Sequence, residues 1–393
     1  MSAPPPPAAP RRPLLRTAAS AEIFTRIITH GPVSRIEVGR LTGLSPAKVT
    51  KTVSPLIRDG FVTVGEHAES SSPGRPVYPL SVVPRSMLAI GIKVNADELV
   101  GVAVSIGNEV LTSVRRPLAR HDPDTVVAEI VRCARRLVDK LGDSADRLVG
   151  LGVSVSGEVD TASGVVRHSP LLGWSHVPLG ARVARQVDLP VIVENDVRAL
   201  TKSEQWFGLG VEAESFAIVT IGAGIGCGIS VNRDVLVGAH GVVGEIGHLP
   251  LAPPDALCVC GRRGCVEAVA SSGAIRDAVR AGHGDPTLTL ADAVTLAHDG
   301  DRTAVDAFNR AGTAIGAALA VTVNLVDPEV VVIAGEGVME YDLYERRIRE
   351  EFAAHAFGAA ASCRLVVRRH TFIDWACGAA VAAFRDALRP ASA

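Results

Sequence analysis

A chain of 393 residues, 47% hydrophobic and 21% charged, is too long for one ordinary core and too apolar for disorder, so two or three globular domains are expected. No apolar run is long enough to span a bilayer, and the opening MSAPPPPAAPRRPLLR lacks the continuous apolar stretch of a signal peptide, so a cytoplasmic protein without a membrane partner is expected. Net charge is −2, divided between residues 1–82 at net +5 (10 Lys and Arg, 5 Asp and Glu) and a remainder at net −7 (30 against 37), which suits a nucleic-acid reader on an acidic regulatory body.

Residues 1–16 read as a solvated Pro-rich tail. Residues 18–31 form a first amphipathic helix, with Ile23, Phe24, Ile27 and Ile28 at helical spacing, and Gly31-Pro32 ends it. A second short helix, RIEVGRLTG, places Gly39 where two helices could approach closely. The turn Thr42-Gly43-Leu44 then leads to Ser45-Pro46, a good N-cap followed by the residue suited to the first helical position. The third helix, about 46–58, turns Val49, Val53, Leu56 and Ile57 inward and leaves Ala47, Lys48, Thr50 and Lys51 outside. Pro55 is expected to kink that helix or end it early.

In a helix-turn-helix the start of this third helix enters the major groove, which makes Ser45, Lys48, Thr50, Lys51 and Arg58 candidate DNA contacts. Phe61–Val64 and the segment Gly74-Arg75-Pro76-Val77-Tyr78-Pro79-Leu80 flank a polar loop as a wing, with Arg75 placed to reach a minor groove or a phosphate. The competing reading of these cations is a solvated helix face; the order helix-turn-helix-wing over residues 17–82 favours DNA.

From Met87 the pattern becomes strand, strand, helix. LAIGIKVNADELVGVAVSI is broken by a turn near Asn95-Ala96-Asp97, a helix follows at about 124–141, then the strand VGLGVSVSGEVD, a helix at 178–186, and the buried strand Pro190–Glu194. A second α/β unit opens with the strand SFAIVTIGAGIGCGISV, gives long Ala-rich helices around 303–323, and closes with a strand over 328–335. Two such units would leave a cleft for a ligand.

Asn195-Asp196 ends a buried strand, where α/β folds bind ligands, although Asn and Asp also suit an ordinary strand-ending turn. Of seven cysteines, an odd number, Cys258, Cys260 and Cys265 fall within eight residues, which in a cytosolic chain favours a metal over disulfides. With His248 they would make a closed, structural, tetrahedral zinc site; an ordinary set of free cysteines is the alternative.

Glu245-x-Gly-His248 followed by Cys258-x-Cys-Gly-x-x-Gly-Cys265-x-Glu267 resembles the hallmark of the ROK family (repressor, open reading frame, kinase). The resemblance runs from about residue 20 to the end. It takes in Asn195-Asp196, the glycine-rich loop Gly222-Ala-Gly224-Ile-Gly226, Asn324-Leu-Val-Asp-Pro328, Gly378-Ala-Ala, and the amino-terminal reader with Gly74-Arg75-Pro76 that is typical of the family's repressors.

The resemblance implies an α/β fold: a winged helix-turn-helix (17–82) on a two-lobed actin-like, sugar-kinase-like (ribonuclease-H-like) ATPase fold. The lobes would span 83–200 and 201–393, the second carrying the zinc motif, with the last helix free to pack back on the first. It implies structural zinc on His248, Cys258, Cys260 and Cys265. Sugar hydroxyls would be held by Asn195, Asp196, Glu245, His248 and Glu267, His248 turning one nitrogen to zinc and the other to a hydroxyl.

In kinase members the Asp matching Asp196 is the general base. Lys93, Asn95, Ala96 and Asp97, however, stand where those members resemble Asp-x-Gly-Gly-Thr, and Ala223 and Cys227 replace a usual Thr and Gly. Asp196 is therefore read as a vestigial base and the chain as no enzyme. The function implied is a homodimeric or homotetrameric sugar-responsive regulator, a repressor in sense, that binds a double-stranded operator. The alternative is an ATP-dependent sugar kinase with an attached DNA-binding domain.

Overall fold

The computed structural model describes residue 15, residues 17–66 and residues 78–390. The expected tail at 1–16, save Leu15, and the wing tip with Gly74, Arg75 and Pro76 lie outside the described residues. The chain divides into two compact units, one running to Val211 and resumed from Phe372, the other Glu212–Thr371.

The first unit opens with α1 (Ala18–His30), α2 (Arg35–Thr42) and α3 (Pro46–Arg58). Each begins on a side-chain cap: Thr17, Ser34 and Ser45 accept from the amides of Ser20, Glu37 and Lys48, which satisfies donors the helix itself cannot. Gly43 ends α2 at φ +66°, a left-handed conformation that favours glycine. Ile23, Phe24, Ile27, Ile28, Val38, Val49, Val53 and Leu56 form the core of this module, and Leu15, within the expected tail, is buried against it. Ile57 is only partly buried.

Gly39 stands where α2 and α3 approach: an added Cβ would lie 3.0 Å from the Leu44 carbonyl oxygen and 3.9 Å from Val49 Cγ2 of α3. One local expectation changes. Helix α3 runs through Pro55 to Arg58 without ending early. The proline stands near the helix end, and Asp59 N–H closes on the Pro55 carbonyl at 2.9 Å. The wing strands are β1 (Val62–Val64) and β2 (Leu80–Val82), antiparallel, with Val33 bridged to Leu80. The second one thus begins where the expected segment ends.

The main sheet of this unit contains β3 (Leu88–Val94), β4 (Glu98–Ser105), β5 (Val110–Pro117), then, after α4 (Pro123–Leu141), β6 (Leu148–Val155). The expected single strand VGLGVSVSGEVD divides at Gly157, whose φ of +113° turns the chain into a small separate sheet of β7 (Glu158–Asp160), β8 (Val165–Ser169) and β9 (Trp174–Val177). Helix α5 (Leu179–Ala184) leads to β10 (Val191–Asn195) and directly to α6 (Asp196–Phe207). The strand order is β10-β6-β3-β4-β5, the first three parallel and the remainder antiparallel.

In the second unit the expected long strand is a hairpin, β11 (Phe216–Ile221) and β12 (Ile225–Val231), because Gly222-Ala223-Gly224 turns the chain. It continues through β13 (Asp234–Val235), α7 (Glu267–Ala270), α8 (Ser272–His283), α9 (Leu290–His298) and α10 (Arg302–Val326). Strand β14 (Val330–Ala334), helix α11 (Glu345–His355) and strand β15 (Arg364–Val367) complete it. The order β13-β12-β11-β14-β15 repeats the first sheet: an antiparallel triplet, then two later strands added parallel to its first member. This duplicated α/β topology is the ribonuclease-H-like fold expected from the sequence.

The chain returns to the first unit in α12 (Phe372–Ala387), which packs on β3 and β6. Gly91 and Gly152 permit it: an added Cβ would lie 1.9 Å from the Ala376 carbonyl oxygen and 1.8 Å from that of Ala379. Alanines on α12 and glycines on the strands bring helix and sheet into backbone contact, which lets a chain with 4% aromatic residues fill this core.

Candidate functional site

The junction of β10 and α6 carries the first set of polar residues. Asn195 is the N-cap of α6: its Oδ1 accepts from Arg198 N–H at 3.0 Å, and its Nδ2 donates to the Gly157 carbonyl at 2.9 Å. Asp196 opens the helix. Its Oδ1 accepts from the Val197 amide at 2.9 Å, and its Oδ2 accepts from the Lys93 ammonium, which also lies over the Trp375 ring at 5.2 Å. Lys93 and Asp196 are both buried. A buried cation therefore holds one oxygen of this carboxylate and a backbone amide the other.

Beneath them Glu194 is almost fully buried and accepts from Thr161, the Asn195 amide, Arg198 and Lys202. Burial pushes its carboxyl upward, but the charges of Lys202 and Arg198 outweigh that and hold it below the usual carboxylate range. The network fixes the turn that presents Asn195 and Asp196. Sequence reading did not single out Glu194, Arg198 or Lys202, although a carboxylate followed at four and eight residues by two cations on one helix face was a visible signal.

The second unit carries the metal-ligand set. One ligand atom each from His248, Cys258, Cys260 and Cys265 lies within 4.8 Å of all the others. The Cys260 and Cys265 Sγ atoms are 3.8 Å apart, as is Cys258 Sγ from His248 Nδ1. Tetrahedral bonds of ~2.3 Å to sulfur require ligand separations of this size. The loop is shaped by Gly261 (φ +84°) and Gly264 (φ +75°), and Cys258 N–H donates to the Arg262 carbonyl at 2.8 Å, turning the thiols together. Burial pushes the Cys258 thiol up to about 12, so loading a metal would displace a proton there.

His248 faces two ways. Its Nδ1 is on the thiol side, and its Nε2 lies 3.9 Å from Glu245 Oε2, beyond hydrogen-bond range but close enough for one ligand to contact both. Glu267, at the start of α7, accepts from the Ile225 amide at 3.0 Å and is thus committed to the glycine-rich turn between β11 and β12.

On the amino-terminal module Ser45, Lys48, Thr50, Lys51 and Arg58 are exposed on α3. Ser45 Oγ caps the helix, and Arg58 donates to Asp59 at 2.8 Å, so Arg58 enters any DNA contact with its charge already partnered. Arg75 lies outside the described residues. No described helix is long and apolar enough to cross a membrane.

The ROK family model matches residues 89–384. The DNA-binding transcriptional dual regulator NagC of Escherichia coli strain K12 is 27% identical over 331 residues, covering 82% of this chain and 81% of NagC. A putative xylose repressor of Caldicellulosiruptor sp. is 29% identical over 348 residues, 85% of this chain and 87% of its own. A solved ROK family transcriptional regulator, a homolog of the E. coli MLC protein, superposes with TM-score 0.79 at 29% identity and covers 94% of this chain and 96% of that one. A ROK family glucokinase from Streptomyces griseus, in complex with glucose and AMPPNP, gives TM-score 0.64 at 26% identity and covers 75% of this chain and 98% of its own.

Proposed function

The chain belongs to the ROK family, and from that premise we propose that it is a sugar-responsive, DNA-binding transcriptional repressor of carbohydrate genes. The observation that carries this reading is coverage. The regulator structure spans 94% of the chain, whereas the glucokinase, itself almost fully covered, spans only 75%. The three-helix module with its wing strands precedes the family match at residue 89.

In this reading α3 enters the major groove with Ser45, Lys48, Thr50, Lys51 and Arg58, while Arg75 approaches from the wing. Two or four copies assemble on a symmetric operator in the cytoplasm. Asn195, Asp196, Glu245, His248 and Glu267 recognise the sugar. Zinc on His248, Cys258, Cys260 and Cys265 supplies no reaction step; it pins the loop and fixes which imidazole nitrogen is left for a hydroxyl. The donor set, three thiols and one imidazole at tetrahedral spacing, supports zinc.

A sugar kinase with an attached DNA reader is the competing function, favoured by the retained Asp196. Against it stands the Lys93 ammonium, already seated on Asp196 Oδ2. Genomic footprinting followed by titration of the purified complex with candidate sugars tests the proposal. Occupied sites near carbohydrate genes, released by one of those sugars, are expected; a chain that protects no DNA would overturn it.

A further inference from the structure

Glycine-rich turns that aim successive amides outward are anion-binding concavities, and they serve ligands best at the carboxyl edge of a sheet. The β11–β12 turn lies at such an edge, and two alternate amides of it, those of Ala223 and Ile225, already have acidic partners. Ala223 N–H donates to Glu336 Oε1 at 2.7 Å, and Ile225 N–H donates to Glu267 Oε2 at 3.0 Å. Gly222 makes room for the first of these, since an added Cβ there would lie 2.2–2.5 Å from the Glu336 carboxyl group. Gly224 does the same for the second, at 2.9 Å from Glu267 Oε2.

The route of the chain delivers Glu336 to this point. Strands β11 and β14 are parallel neighbours, so their following turns emerge at one edge. Gly335, at φ +95°, bends the chain back so closely over β11 that a Cβ would lie 2.4 Å from the Ile221 carbonyl oxygen. Glu336 itself is exposed, at a place a solute could reach.

We propose that the β11–β12 turn is an anion cradle whose resident ligand is the chain's own Glu336 carboxylate, which occupies the place of a phosphate group and keeps phosphate-bearing solutes out. Glu336 supplies the same chemistry as a bound oxyanion, one acceptor oxygen on an amide, and its charge repels any second anion. The cradle thus retains its backbone shape while phosphate binding is blocked from within. The occupant and its turn lie within one unit and do not depend on which effector the chain answers.

The test uses full-length, zinc-loaded protein with Glu336→Ala and Glu336→Gln, probed with inorganic phosphate and with formate. Circular dichroism and the denaturant midpoint of each variant report that it is folded. In the wild type, Ala223 amide exchange should be slow and indifferent to either anion. In Glu336→Ala it should quicken about tenfold, the loss of one charge-assisted hydrogen bond, and added phosphate or formate should slow it again. In Glu336→Gln, which keeps the shape without the charge, phosphate should also bind, more weakly than in Glu336→Ala. Unchanged exchange in Glu336→Ala, or phosphate binding to the wild type as tightly as to the variants, would overturn the proposal. So would a Glu336→Gln protein that ignores both anions, even if Glu336→Ala failed to fold.

Discussion

Glu194 meets Arg198 and Lys202 where all three are buried, so removing its charge leaves two cations without their counter-ion. Breaking a buried pair in this way costs about 3–5 kcal/mol, and Glu194→Gln should show that loss in denaturant unfolding at neutral pH. Because its folded carboxyl is held below the ordinary value of 4.5, its contribution is present above that value and fades as pH falls through the depressed one. The acid limb of the stability profile should therefore flatten in Glu194→Gln; an unaltered limb would place the acid sensitivity elsewhere. At the ligand end, Glu245→Ala and Asp196→Asn should each weaken the effector by about one to two decades, as expected for a charge-assisted hydrogen bond of roughly 1.5–3 kcal/mol. Calorimetry measures the change. DNA affinity without effector should be unaltered, giving a repressor that no longer releases, and wild-type response in both variants would move the sugar site away from these residues.

Among the elements, the knuckle from Cys258 to Cys265 and helix α12 have the clearest consequences. The knuckle is a loop held by amides, two left-handed glycines and the four-ligand set. Cys260→Ser should reduce bound zinc from one per chain to none in metal analysis and lower both the melting temperature and the effector response. A metal-free protein that melts and responds normally would leave the cluster without this role. Helix α12 meets its sheet at backbone distance. Gly91→Ala would push a methyl group into the Ala376 carbonyl, and overpacking of this kind costs about 3 kcal/mol. Denaturant midpoints measure it, and a shift near zero would mean that helix and sheet can separate freely.

For the whole molecule the two competing functions make opposite demands. A repressor should bind a two-fold operator with an affinity that falls steeply with salt, because lysines and arginines release counter-ions from the phosphates. Removing residues 1–82 should abolish that binding while the remaining body stays folded; protection of the same operator by the truncated chain would show that the reader lies elsewhere. Phosphoryl transfer needs a positioned donor as well as a base, and kinases that have both turn over at about 1–100 per second. With Lys93 on Asp196 and Glu336 on the β11–β12 turn, a coupled assay with ATP, magnesium and a sugar panel should show no turnover. Turnover in the kinase range, abolished by Asp196→Asn, would establish an enzyme.

Short-range chemistry made part of this legible from residues alone. Helices α1 to α3 were readable because caps, the left-handed Gly43 and apolar spacing act within one or two turns of the chain. The metal set was readable because three of its four ligands fall within eight residues, and Asn195-Asp196 because a buried strand ends there. What depended on distant partners was not. An apolar run does not reveal whether it is one strand or a hairpin, so β11 and β12 merged into one, and β5, β8 and β9 went unread. The passage of α3 through Pro55, the contact of α12 with Gly91 and Gly152, and the seating of Lys93 on Asp196 across 103 residues were settled by packing. So was the arrival of Glu336 at Ala223, 113 residues away. Sequence determined which chemistry the chain holds; tertiary structure decided which groups meet, because a buried charge or a carbonyl finds its partner in space and not along the chain.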